Sequence, residues 1–413
     1  MLLLSLSAAT AYGSEGDIPD WQPGPPRFAV TPFENHVTNG RALDWIIAEA
    51  PFEIAEKTEG VLGLDPALLP LFVPGEAVPA EPDTVADFGK RAAVTYVVTG
   101  WFDKPNADTL RIDTIVWKLD GRTAKIAGES QQSGTMAQYH KLVGDAMGAA
   151  WSKAGITVDL ARGERLERVL SKDIYPVFMM GRGLGYFTGA ISAMQAAQGF
   201  GSGSGSGSGP DLKSAQHDLE RAVFLDPKLF EAQRLIGELD LLANDPKAAA
   251  RAAGKFNYAN DLAPDDIPSL RAAARASARE AKWEVALELY RKLVTRRPWD
   301  LEARYQLGAA MWQLGDGKSA ERQLEQVTAH APDQLSARRV LVEIHASRSD
   351  TPRLVAELEA IAARAPDDLE VKGDLATAYG ALGQWPKAVA VLESVAAARP
   401  DDVALLVRVG DAH

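Results

Sequence analysis

The chain contains no cysteine, which excludes disulfides, thiol nucleophiles, thiolate metal sites and cysteine-linked lipid anchors. Histidine is scarce: His36, His140, His217, His330, His345 and His413 are the whole set. None has a second histidine or an acidic residue at zinc-ligand spacing, so each reads as a surface or packing residue. No nucleophile elbow, kinase signature or metalloprotease motif occurs. Gly181, Gly183, Gly185 and Gly189 form no phosphate loop, because no Gly-Lys-Ser/Thr follows and the dinucleotide spacing is missed. They read as small residues for close helix packing. No catalytic residue, metal site or cofactor is expected.

Positive charge is in deficit. Lys and Arg number 44 against 56 Asp and Glu, and the net charge of −12 argues against nucleic acid and anionic membranes as partners. A membrane-spanning run is also missing: the apolar stretch Met1 to Ala11 is too short to cross a bilayer. With Ala9-Thr10-Ala11 suited to a signal peptidase, it reads as a secretory signal with a clipped or misplaced start, although the positive n-region is absent. The alternative is a disordered apolar N-terminus on a cytosolic protein. At 413 residues and 46% apolar content, the chain has room for two or more domains around a sizeable core.

What is present is a beat. Pro227, Pro264, Pro298, Pro332, Pro366 and Pro400 are separated by 37, 34, 34, 34 and 34 residues. A fixed period of this size marks stacked repeats, each burying its apolar face only against its neighbours. Eight residues before each proline stand Leu219, Phe256, Tyr290, Leu324, Leu358 and Leu392. Twelve before it stand Ala215, Ala252, Ala286, Ala320, Leu354 and Ala388, and five before it Ala222, Ala259, Leu293, Val327, Ile361 and Val395. These offsets lay one apolar stripe along a helix. The proline ends that helix. Asp265–Asp266, Asp300, Asp333, Asp367–Asp368 and Asp401–Asp402 follow, where caps and the positive helix end favour carboxylates over metal or acid/base roles.

On these residues the chain resembles the tetratricopeptide repeat family, whose unit is a 34-residue helix–turn–helix. Repeat 299–332 carries Leu307-Gly308, Gly315, Ala320 and Pro332; repeat 367–400 carries Leu375-Ala376, Tyr379, Gly383, Ala388 and Pro400. Repeat 333–366 departs from the pattern with Val342 and Leu354, so looser packing is expected there. The resemblance implies an all-α solenoid over 174–413 that holds a protein or peptide partner. It also implies that the first helices face a concave groove, lined here by Arg234, Glu238, Arg271, Arg275, Arg279, Tyr305, Trp312, Arg339 and Glu343. Arginine and exposed rings are the composition of binding hot spots, and an arginine ladder favours an acidic or C-terminal ligand. A plain solvated helix face is the competing reading.

The frame exposes two oddities. Gly410 stands ten residues after Pro400, as Gly308 stands ten after Pro298, so a seventh repeat is expected to be cut short and the chain to be part of a longer one. Gly201 to Gly209 alternates strictly between glycine and serine, a composition that builds no core. It reads as an engineered replacement for a loop, with codon-repeat drift as the alternative. The tract interrupts the first repeat, whose small residue is expected at Gly181, some 22 residues ahead of position 203.

The first half follows another pattern. After a leader and turn-rich segment (1–26), residues 27–156 predict a strand from Arg27, helices over 42–57 and 84–92, strands over 96–102, 110–119 and 124–130, and a helix over 137–154. The order βα(α)βββα predicts an α+β domain with helices on one face of the sheet, and 157–173 a connecting helix. The stretches Ala29–Asn35, Tyr96–Phe102 and Ile115–Gly121 resemble the amino-terminal domain of the TolB family, which implies an envelope-associated binding domain without chemistry of its own. An enzyme reading would need a titratable cluster here, and Glu34, His36 and Asp113 are its candidates. The sequence thus points to a non-enzymatic interaction scaffold of an exported, periplasmic envelope assembly. A cytoplasmic regulator or co-chaperone is the alternative.

Overall fold

Alternating apolar residues build a mixed sheet in the first half of the chain. A computed structural model describes residues 18–38, 40–58, 65–66, 80–121, 123–156, 170–197, 211–242 and 247–398. The chain divides into two compact units, Gly24–Ala272 and Ala273–His413 with Met1–Pro23.

In the first unit, β1 (Arg27–Val30) and β2 (Glu34–Asn35) precede α1 (Trp45–Thr58), and β3 (Asp65–Pro66) precedes α2 (Pro82–Arg91). Then come β4 (Tyr96–Asp103), β5 (Leu110–Asp120), β6 (Thr123–Gly134) and α3 (Tyr139–Lys153). The sheet order is β3-β1-β4-β5-β6, with β2 also on β4. β1 runs parallel to β4, and β4, β5 and β6 are antiparallel. Helices cover both faces, not one. Phe28, Val30, Val98, Ile112 and Val116 pack with α1 and α3, whereas Ala29, Val97 and Trp117 pack with Val85 and Phe88 of α2. Both alternating sets are apolar, so neither face can be left to water. Val116 and Trp117 serve opposite faces by the pleat, and a bulge beside them leaves Ala127 of β6 without a register partner on β5.

The same unit continues into helices α4 (Ile174–Ala197), α5 (Leu212–Leu225), α6 (Phe230–Leu242), α7 (Ala248–Leu262) and the start of α8 (Ile267–Arg279). Trp45, Tyr139, Met180, Leu184, Leu219 and Leu235 share one core, so the first helices pack with the sheet layer as a single body. Of the expected connecting helix over 157–173, residues 157–169 lie outside the described residues, as do the leader 1–17 and the Gly-Ser tract; Leu170 to Asp173 form a bend leading into α4. The repeat frame shifts by two. A Cβ on Gly183 would meet Leu219 Cγ at 2.8 Å and the Ala215 carbonyl at 3.1 Å, matching Gly308 against Leu324 Cγ at 2.9 Å and the Ala320 carbonyl at 3.4 Å. Gly183 is therefore the small residue of the interrupted repeat. Gly181, named for that role by sequence, faces Trp45 and Glu49 of α1 instead. The insertion is accordingly 20 residues, from 183 to 203.

The second unit stacks α9 (Trp283–Arg296), α10 (Leu301–Gln313), α11 (Gly317–His330), α12 (Leu335–Ser347), α13 (Thr351–Arg364), α14 (Leu369–Ala381) and α15 (Trp385–Ala398) after the end of α8. Tyr290, Leu324, Leu358 and Leu392 are buried, as are Ala286, Ala320 and Ala388. In repeat 333–366, Val342 and Leu354 are half-buried at the edge of the cluster around Leu358 and Leu375. Asp266, Asp300 and Asp368 cap the helices they precede, accepting from Ser269, Ala303 and Val371 N–H at 2.8, 2.9 and 3.1 Å. Asp333 does not; it pairs with Arg364 at 2.9 Å, and α12 starts without a side-chain cap. The turn inside each unit has a left-handed residue 17 positions after the proline: Ala281, Gly315, Ser349 and Gly383. The seventh repeat expected beyond Pro400 lies outside the described residues.

Candidate protein-interaction site

The expected groove residues sit on first helices α6, α8, α10 and α12, but their surroundings differ. Arg234 is buried, at 6% exposure, with its guanidinium 5.6 Å from the ring centroid of Phe52 on α1. It is thus not an exposed groove residue: Phe52 of α1 lies over its guanidinium. Glu238 and Arg271 are half-buried. Arg275 and Arg279 are exposed one turn apart on α8, with no hydrogen bond or ion pair found for either among the described residues.

On α10 and α12, Tyr305 and Trp312 are half-buried while Arg339 and Glu343 are exposed. The Trp312 indole N–H donates to Glu343 Oε2 at 2.9 Å, and Arg339 Nη2 donates to Asp368 Oδ2 at 2.5 Å. Gln334 Nε2 adds a bond to Glu302 at 3.0 Å. Each bond joins one repeat to the next. Hydrogen bonding from Val371 and Arg339 holds the Asp368 carboxyl below the ordinary aspartate value. Nothing described gathers the nine residues into one pocket.

A second surface escaped the sequence reading. Arg304 on α10 is fully buried and donates to Gln323 Oε1 of α11 at 2.6 Å and to the Pro298 carbonyl at 3.1 Å. It also donates to the carbonyl of Pro19 at 2.9 Å. Asp20 accepts from Arg322 and Gln326, each at 3.0 Å, and the Trp21 N–H donates to Gln326 Oε1 at 2.7 Å. The Trp21 indole stacks on the His330 imidazole, 3.7 Å between centroids and 19° between planes. The hydrogen bond from Arg322 holds the Asp20 carboxyl below its ordinary value. The visible signal was an acid–aromatic pair between Pro19 and Pro23 in a stretch otherwise read as leader.

Two titratable groups elsewhere bear on chemistry. Glu49 and Glu53, one turn apart on α1, meet His140 of α3 with ligand atoms within 4.8 Å, the one described group able to reach a single ion. Tyr139 donates to Glu49, and His140 shares a hydrogen bond with Glu53 at 2.8 Å, so the trio is tied into the core. Burial and the two glutamates push the Tyr139 hydroxyl well up. Of the enzyme candidates, His36 bonds Glu34 at 2.8 Å and stacks on Trp101, whose register partner is Asp113. Burial pushes Asp113 up against a hydrogen bond from Gln131. Glu34 and His36 line a cavity of about 250 Å³ with Trp101, and Asp113 does not.

Antiparallel helix pairs recurring every 34 residues define an α-solenoid. Residues 277–342 and 355–408 match the tetratricopeptide repeat family, and this stretch of the chain is made of those repeats, which serve as protein-interaction scaffolds. No curated protein matches the chain significantly. Among solved structures, a tetratricopeptide repeat protein from Parabacteroides merdae is 19% identical over 51% of this chain and 78% of its own, with a TM-score of 0.38. MamA from Desulfovibrio magneticus is 18% identical over 42% and 97%, at 0.38. TTC0263 from Thermus thermophilus is 22% identical over 44% and 98%, at 0.31. At these scores the likeness carries no weight, and the repeat assignment rests on the matched residues and their period. No described helix is long and apolar enough to cross a membrane.

Proposed function

We propose that the chain is a non-enzymatic scaffold whose first-helix face grips an acidic or C-terminal protein segment. The observation that carries this reading is the Arg275–Arg279 pair: two exposed guanidinium groups one turn apart, with no carboxylate set against them among the described residues. Isolated cations in such an array are poised for carboxylates of a partner. Trp312 and Arg339, already bonded to Glu343 and Asp368, hold neighbouring repeats together and contribute shape to the same side. An immobilised peptide library probed with the full chain tests the assignment. Enrichment of acidic or C-terminal sequences, lost in Arg275→Glu/Arg279→Glu at unchanged helical content, is expected; enrichment of neutral or basic peptides by both proteins overturns it.

The scaffold is proposed to act in an exported, periplasmic assembly of the bacterial envelope, on the strength of the apolar leader and Ala9-Thr10-Ala11. Cell fractionation with sequencing of the mature N-terminus checks this. Cleavage near Ala11 and recovery outside the cytoplasm are expected; an intact leader in the cytoplasm points to a regulator or co-chaperone instead.

A further inference from the structure

Arg304 is a buried cation without a carboxylate in its own repeat. Its counterpart shows how unusual that is. Arg338 stands six residues after Pro332, as Arg304 stands six after Pro298. It donates to the Pro332 carbonyl at 3.2 Å and to Glu357 at 2.7 Å, reproducing the bonds of Arg304 to Pro298 and Gln323. Glu357 and Gln323 occupy the same place, 25 residues after their prolines. The later repeat neutralises its arginine internally; the earlier one offers only a carboxamide. A buried guanidinium paired with neutral groups remains costly, and a further acceptor with nearby negative charge relieves it.

Residues 18–21 supply both. The Pro19 carbonyl accepts from Arg304, and Asp20 lies beside Arg322. Gln326 reads two successive residues at once, accepting the Trp21 N–H and donating to Asp20. His330 takes the indole face, and Ile18 is 5% exposed. Three consecutive residues are thus held by different chemistry: a backbone carbonyl at Pro19, a carboxylate at Asp20, and a backbone amide and ring at Trp21. Such a set fixes register and direction together, as a recognition site does and an incidental surface contact does not.

We propose that the α10–α11 face of repeat 299–332 is a recognition site for an extended Pro-Asp-Trp segment, and that residues 18–21 of the same chain occupy it reversibly. This site lies on the side of α11, is independent of the first-helix face proposed above, and would be opened to a competing acidic–aromatic segment only when the chain's own is displaced.

Hydrogen exchange on the full chain gives the direct test. In Gln326→Ala/His330→Ala, two changes on the outer surface of α11, the Trp21 amide is expected to exchange at least about tenfold faster while the α10–α11 amides keep their protection. Unchanged Trp21 exchange overturns the proposal. The second arm uses a labelled synthetic peptide spanning residues 17–23. The chain carrying Asp20→Ala/Trp21→Ala is expected to bind it at least about tenfold more tightly than the unaltered chain, and to discriminate by a similar factor against a scrambled peptide. Equal binding of the scrambled peptide overturns specificity. Sedimentation separates the remaining source: an unaltered chain that is dimeric and becomes monomeric in Asp20→Ala/Trp21→Ala would show the segment crossing to a second copy, which overturns occupation within one chain.

Discussion

Trp312 and Glu343 hold each other across two consecutive first helices, indole nitrogen to carboxylate oxygen at 2.9 Å. The bond takes one hot-spot residue type and one acidic group out of circulation on the face argued to receive acidic ligands. Glu343→Ala is expected to cost under about 1 kcal/mol of stability, since the carboxylate is exposed. It also removes a repelling charge and frees an indole donor, so affinity for an acidic peptide rises several-fold. A thermal melt paired with a peptide titration reads both effects; unchanged or weaker binding would remove Trp312 from the face.

The left-handed turns divide into two that suit their residue and two that do not. Gly315 and Gly383 adopt positive φ freely, but Ala281 and Ser349 do so at 55° and 57°. A non-glycine residue there is strained by about 1–2 kcal/mol, against which glycine's extra unfolded-state freedom costs about 0.5–1 kcal/mol. Ala281→Gly and Ser349→Gly are therefore expected to stabilise by about 0.5–1 kcal/mol each. Gly315→Ala goes the other way. Denaturant midpoints for the three variants check the sign.

The acidic residues after the prolines are not equivalent. Asp300 caps α10 through Ala303, and Asp300→Ala should cost about 1 kcal/mol. Asp333, 91% exposed and paired only with Arg364, caps nothing described, and Asp333→Ala should cost no more than about 0.5 kcal/mol. Equal losses in urea melts would refute the distinction.

Glu321 makes the second unit sensitive to acid. Burial pushes its carboxyl up, yet the hydrogen bond from Arg348 and the charges of Arg348, His345 and Arg353 leave it below the ordinary glutamate value. A depressed folded value stabilises above the unfolded one and is lost as pH falls through the folded one. Glu321→Gln should therefore cost about 1–3 kcal/mol at pH 7, and the gap to the unaltered chain should close as pH drops below the glutamate range. Urea melts along a pH series follow it; a constant gap would mean that the Arg348 and Arg353 contacts contribute nothing ionic.

Periodic features were legible in the sequence and long-range ones were not. Leu324 and Ala320 are buried because a 3.6-residue helix brings such offsets to one side, and Val97 and Val98 are strand residues because both faces of their sheet are covered. Each follows from neighbours a few positions away. Arg234 was misread because what covers it, Phe52, is remote in the chain. Gly181 and Gly183 both satisfy a demand for a small residue, and the Gly-Ser tract had destroyed the count that would have chosen between them. The group of Glu49, Glu53 and His140 joins side chains 87 residues apart, and the bond from Trp21 to Gln326 spans 305. No local pattern encodes such pairings; only the folded backbone brings them together.

Gln323 and Glu357 differ by one polar group at the same offset, and that difference decides which repeat is electrically complete. Repeat 333–366 meets its arginine with its own Glu357, whereas in repeat 299–332 the arginine takes Gln323 and then the Pro19 carbonyl from outside its 34 residues. Glu357→Gln would leave Arg338 as short of negative charge as Arg304, with the apolar stripe that stacks the helices untouched; the other repeats, with Gln233, Leu270 and Lys372 six residues after their prolines, hold no arginine there to satisfy.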